Sequence, residues 1–178
     1  TGDTLKGILK TQFGSRGEDD IEANDHSYRD ETGGRHQRFK QKFHGYTVEG
    51  ASLVVHTDAD GEITGVNGEY VDGSYLTTIP GLSSKQALAL AAKNYFGDDQ
   101  HTEIVSAAKL SVVRDADGFA CFAWKSVIRY TEFISQRGIN KVHEDYLYAD
   151  ANTGRACAVF PRIIGYNHDE TTLTTTTL

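Results

Sequence analysis

What this sequence lacks narrows it first. No apolar run approaches the roughly 20 residues needed to span a bilayer, so no segment reads as a membrane anchor. No cluster of Lys and Arg offsets the net charge of -7 in this chain of 178 residues. Nucleic acid and anionic membranes call for a basic face, so neither is an expected partner. Cys121 and Cys157 are the only cysteines, too few for the disulfide framework of a small secreted domain. A single bridge and two buried thiols both stay open. There is no G-x-S-x-G, no phosphate-binding Gly loop and no C-x-x-C, and the seven histidines are scattered without a ligand spacing. No catalytic residue, metal ligand or cofactor is therefore assigned to this chain. The sequence contains no initiator Met and no signal peptide, so the chain is expected to begin as a processed product or a recombinant segment.

What is present is a series of periodic segments separated by turns. Leu5, Ile8, Leu9 and Phe13 recur at helical spacing, with Asp3 as a cap and Gly14 as a stop. Residues 15–34 are polar and read as a loop, with a short strand near Ile21 at most. From Arg35 the period changes to two: Phe39 and Phe43 fall on one strand face, and Arg38, Lys40 and Lys42 on the other. Two β-rich runs then flank Asp58-Ala59-Asp60-Gly61, a hairpin turn in which Gly accepts positive φ. Residues 72–82 form a loop around Pro80. Ser83 and Gln86 make a capping box before a helix whose apolar face is Leu88, Ala91, Ala92, Tyr95 and Phe96, ended by Gly97. Strands follow, turning at Asp115-Ala116-Asp117-Gly118 and at Asp150-Ala151-Asn152-Thr153-Gly154. This order predicts an α+β fold of two antiparallel sheets, each packed with a helix.

Three constellations bear on chemistry. His143-Glu144 begins like the zinc-protease helix motif, but position 147 is Leu and the segment alternates like a strand, so the pair is placed on opposite strand faces. The Asp-x-Asp-Gly turns share pieces with calcium loops; their Gly is at the fourth position rather than the sixth, which favours plain hairpin turns. Alternation also gathers His36, Arg38, Lys40, Lys42 and His44 into one basic stripe. Such a stripe reads either as a solvated face that discourages edge pairing or as a docking surface for an acidic partner.

The ordered signals resemble a known family. Arg38, Gln41, Phe43, Gly45, Val48, Gly50, the run Leu53 to His56, Asp60-Gly61 and Asn67-Gly68 are similar to the fungalysin/thermolysin propeptide motif. The segment LSSKQALALAAKNYF is similar to the helix of the adjoining PepSY-like region, and YLYADANTGRACAV, with Asp150 and Gly154 at its turn, to that region's final strands. The resemblance spans most of residues 35–160; Tyr46-Thr47 departs from it, where the family often has small apolar residues and Pro.

The resemblance implies a cystatin-like/PepSY-like architecture with a propeptide subdomain at residues 1–75, a PepSY-like subdomain at 76–160, and a flexible tail at 161–178 leading to the cleavage site. It implies a role as chaperone and inhibitor of a secreted zinc metalloendopeptidase, the zinc lying in the catalytic partner. Arg38, Lys40 and Lys42 would dock, while Arg162, Ile163, Ile164, Tyr166 and His168 enter the partner's cleft. There, His168 or Asp169 could approach its zinc, imidazole and carboxylate both being zinc ligands. A stand-alone extracellular protease inhibitor or binding module on the same fold would share every one of these motifs.

Overall fold

The computed structural model of the chain describes residues 2–15, 19–98, 100–136 and 138–162. The element order is α1 (Gly2–Phe13), β1 (Asp19–Arg29), β2 (Arg35–Phe43), β3 (Tyr46–Thr57), β4 (Ile63–Gly68), α2 (Ser84–Phe96), β5 (Thr102–Ile104), β6 (Lys109–Arg114), β7 (Ala120–Ile134), β8 (Ile139–Asp150) and β9 (Ala156–Pro161). Contacts divide it into two units, the first running to Tyr75 and the second beginning at Leu76.

This overturns the expected α+β arrangement of two sheets each packed with a helix. The chain is mostly β, with nine strands and only two short helices among the described residues. The physical reason is that alternation shows which face of a strand is apolar, not which strands share hydrogen bonds. A second correction concerns residues 15–34. Most of that polar stretch is β1, an 11-residue strand paired antiparallel with β2 from Asp19↔Phe43 to Arg29↔Arg35. Backbone hydrogen bonds hold it with little apolar burial, so it carries no period for the sequence to display. The stretch from Glu103 to Arg114 is broken into β5 and β6.

In the first unit the pairing order is β1-β2-β3-β4. α1 buries Leu5 and Leu9 against Leu53 and Val55, with Phe39 and Ile63 packed at the edge of the cluster. Helix α1 runs from Gly2, and the side chain of Asp3, expected as its cap, lies outside the described residues. It ends as the sequence suggests: Gly14 has φ 73° and the Ser15 N–H reaches back to Leu9 O at 3.3 Å, the six-to-one bond of a Schellman motif.

The second unit has β6-β7-β8-β9 in order, with β5 paired to the far end of β7. Ser83 and Gln86 form the capping box of α2, and Gly97 closes it with an N–H to Lys93 O. Ala87, Leu88, Ala91 and Ala92 pack on Ile128, Leu147 and Ala149. Tyr95, expected on that apolar face, is 57% exposed. On the other side of the strands Cys121 and Cys157 form a disulfide amid Val113, Ala123 and Tyr148, which settles the cysteine question left open by spacing.

Every hairpin turn of the Asp-x-x-Gly kind uses one device. Asp30, Asp58 and Asp115 each accept through Oδ1 from the backbone N–H groups two and four residues on, at 2.9 to 3.1 Å. Asp150 accepts from Asn152 and Thr153 at 2.8 Å. The carboxylate that a calcium loop would aim at an ion is here satisfied by the turn itself. At Gly154 the turn has φ 72°, and a Cβ would sit 2.8 Å from Leu90, so glycine is required twice over.

A buried amide closes the first unit. Gln41 is fully buried; its Nε2 donates to Val71 O at 2.7 Å, and its Oε1 accepts from Val71 N–H at 2.9 Å. Phe43, 1% exposed, lies beneath Gly73, where a Cβ would come within 3.1 Å of the ring. Together they tie the strand to the chain leaving β4. Gln41→Leu is expected to strand both backbone groups of Val71 and to cost about 3 kcal/mol, an unpaired buried polar group costing about 1–3 kcal/mol. Urea unfolding of the chain measures it, and a midpoint within error of the parent would contradict the assignment.

Candidate partner-docking face

The side chains of β2 divide as alternation predicts. Phe39, Gln41 and Phe43 point to the core side, and Arg38, Lys40 and Lys42 to the opposite face of the sheet. His36 shares that opposite face. His44 does not: it sits beyond the end of β2 with φ 49°, in the two-residue turn to β3, stacked on Phe43. Two positive-φ residues, His44 and Gly45, are what a type I′ hairpin needs.

The three candidate docking cations are not equivalent. Lys42 Nζ is 2.6 Å from Glu22 Oε2 across the β1–β2 pair. That hydrogen bond, with the charge of Lys42 and more weakly that of Lys40, holds the Glu22 carboxyl below its usual range. Among the described residues no carboxylate pairs directly with Arg38 or Lys40. Among the described residues Arg38 and Lys40 are thus less tied than Lys42, Lys40 acting on Glu22 through its charge alone.

Cross-strand neighbours extend the face beyond the stripe. His36 stands directly opposite His56 of β3, and the two Nδ1 atoms are 2.5 Å apart. His36 Nε2 lies 3.0 Å from Asp30 Oδ2, and His56 Nε2 2.6 Å from Asn67 Oδ1. Tyr28 stacks on His36 with centroids 4.5 Å apart. Hydrogen bonds from Thr32 first, then His36, together with the Gly34 and Thr32 backbone, bring the Asp30 carboxyl down to about 2. Sequence reasoning missed this group. The spacing of 20 residues between the histidines signals nothing until the register is known.

The other motif positions are structural. Val48 is buried, and Gly50 has φ 77° where the β2–β3 register is interrupted. Gly61 closes the Asp58 turn. At Gly68 a Cβ would lie 2.2 Å from Ser52 O, so the Asn-Gly pair is read by a close strand approach. On the second unit, His143 and Glu144 fall on opposite faces of β8: His143 bonds Glu132, and Glu144 binds both Arg129 and Arg162. Arg162 also donates its backbone N–H to Glu144 O. Ile163, Ile164, Tyr166 and His168 lie outside the described residues. Cys121, Asp150 and Cys157 are close enough to hold an ion, but both sulfurs are used in the disulfide.

Cations, imidazoles and an amide thus share one face of the first unit's strands. Residues 26–70, which contain this face, match the Fungalysin/Thermolysin Propeptide Motif. The chain therefore carries a protease propeptide motif of the fungalysin/thermolysin type, the mark of a precursor region rather than of a catalytic domain. No curated protein matches significantly. Among solved structures, the Bacillus megaterium YpeB C-terminal domain is similar over 90% of this chain, with 14% identity and a TM-score of 0.39. The match takes in 64% of that domain's length, and a likeness this distant bears on no functional point. Among the described residues no helix is long and apolar enough to cross a membrane.

The sign of the Asp30 effect can be tested. A carboxyl held at about 2 when folded, against about 4 unfolded, stabilises the fold above pH 4, and that contribution is lost as pH falls towards 2. Asp30→Asn should therefore flatten the decline of the urea midpoint between about pH 4 and pH 2. Equal slopes for the two proteins would show that Asp30 plays no part.

Proposed function

We propose that this chain is the pro-region of a secreted zinc metalloendopeptidase of the fungalysin/thermolysin type, helping the catalytic domain fold and restraining it until cleavage. The propeptide motif over residues 26–70 carries the reading. The physics of the role is that of linkage. A partner that binds the native protease and not its unfolded chain stabilises it by mass action, and the same contacts inhibit if they cover the cleft. The single disulfide suits an oxidising compartment, in keeping with secretion.

In this reading Arg38, Lys40 and Lys42 meet an acidic surface of the catalytic domain. Opposite charge mainly speeds encounter, and Arg38 and Lys40 contribute most because Lys42 is already held by Glu22. Residues 76–160 act as the PepSY-like half. The segment from Arg162 through Ile163, Ile164 and Tyr166 to His168 enters the cleft, starting from the anchor that Glu144 gives Arg162. The zinc belongs to the catalytic partner.

The direct test is inhibition in trans of a fungalysin- or thermolysin-type catalytic domain by this chain; no inhibition at micromolar concentration would count against the reading. Arg38→Glu with Lys40→Glu is expected to slow association about tenfold at low salt, with a smaller effect at high salt. Stopped-flow binding reads both. Deleting residues 161–178 is expected to lower inhibitory potency at least about tenfold, a loss of about 1.4 kcal/mol of binding. Unchanged potency would remove the cleft-blocking segment from the proposal. A domain bearing HExxH encoded beyond Leu178 would join the chain to its enzyme.

A further inference from the structure

The histidine pair on the first unit has a hydrogen-bond pattern that plain packing does not require. Asp30 Oδ1 is taken up by Thr32 and Gly34, leaving Oδ2 as the acceptor facing His36 Nε2 at 3.0 Å. Asn67 Oδ1 faces His56 Nε2 at 2.6 Å. With Asn67 presenting its oxygen, both Nε2 atoms donate. A neutral imidazole that donates from Nε2 keeps a lone pair on Nδ1, and here the two Nδ1 atoms point at each other at 2.5 Å. Two facing lone pairs repel unless a proton or a metal cation lies between them.

The outer contacts are those of a metal site. A ligating imidazole characteristically gives its second N–H to a carboxylate or carbonyl oxygen, which fixes the tautomer and aims the other nitrogen. Asp30 and Asn67 supply one such oxygen each. The two rings come from directly opposed residues of paired strands, so their backbones are fixed before any ion arrives. Zinc–nitrogen bonds of about 2.0–2.1 Å in tetrahedral geometry place two nitrogens roughly 3.3 Å apart, so the rings need part by less than about 1 Å. His36 is 17% exposed on its side chain, leaving a path from solvent, and Gly65 beside His56 contributes no side chain.

We propose that His36 and His56 form a two-imidazole binding site for a divalent d-block cation of the zinc, nickel or copper class, with water completing the coordination. The cation clips β2 to β3 on the same face as Arg38 and Lys40. This departs from the expectation that the chain holds no metal, and it does not depend on the pro-region reading. Hard cations such as calcium and magnesium are not expected to bind, since they prefer oxygen ligands.

The test is calorimetric titration of the chelator-stripped 178-residue chain with zinc chloride at neutral pH, alongside thermal unfolding with and without zinc. One ion per chain and a raised Tm are expected. His56→Gln should abolish both effects, and Asn67→Ala, which keeps both ligands, should weaken binding about 10-fold or more through its aiming role. Asn67→Ala also guards against a His56 variant that fails to fold, with circular dichroism as the check on each protein. Overturning results are the absence of a one-to-one isotherm, zinc binding unchanged in the His56 variant, or imidazole NMR showing one shared proton that zinc does not displace. None of these results would alter inhibition in trans, so the two readings fail separately.

Discussion

An aspartate carboxylate turned back on its own backbone organises most of this chain. Asp30, Asp58, Asp115 and Asp150 each start a hairpin and each accept two backbone N–H groups of the turn that follows. A charged acceptor satisfies those donors more strongly than water or a neutral side chain would. Register in a hairpin is set by its turn, so these four contacts fix how β1 meets β2, β3 meets β4, β6 meets β7 and β8 meets β9. Arg155 then links two of the turns through Asp115 at 2.8 Å. Much of the acidic excess of this chain is thus local architecture and not a surface advertisement.

Within that frame the propeptide motif divides into two jobs on opposite sides of one strand. Gln41 and Phe43 face inward and hold Val71 and Gly73. Arg38 and Lys40 face outward. Period-two geometry makes the two jobs inseparable, because whatever fixes the inward residues also fixes the orientation of the outward ones. The buried amide is costly if unpaired and specific when paired, which suits a residue that must define one arrangement of the chain leaving β4. The outward cations then gain their position from the inward residues.

Much of this was legible in the residues. The capping box at Ser83 and Gln86, the Gly14 and Gly97 stops and the turns at Asp58, Asp115 and Asp150 could be read directly, because each is a local device whose donors and acceptors lie within a few residues. Strand β1 could not, since a polar strand held by backbone pairing shows no apolar period. Its turn at Asp30 was hidden with it. The amount of strand was misjudged for a related reason: strand pairing is made by backbone groups common to all residues, so side chains say little about who pairs with whom.

The sequence by itself determined the turns at Asp58, Asp115 and Asp150, the second helix, the inward and outward faces of β2, and the family likeness of residues 26–70. Tertiary structure decided which residues meet. Counting back from the Phe43↔Tyr46 pair would set His36 against Leu53, but the interruption near Gly50 shifts the register by three and sets it against His56. It likewise decided that Cys121 and Cys157 bond, 36 residues apart. Local hydrogen bonds and alternation act over a few residues and are written in order along the chain. Cross-strand neighbours depend on summed offsets from every turn and bulge between them, and only the folded chain carries out that sum.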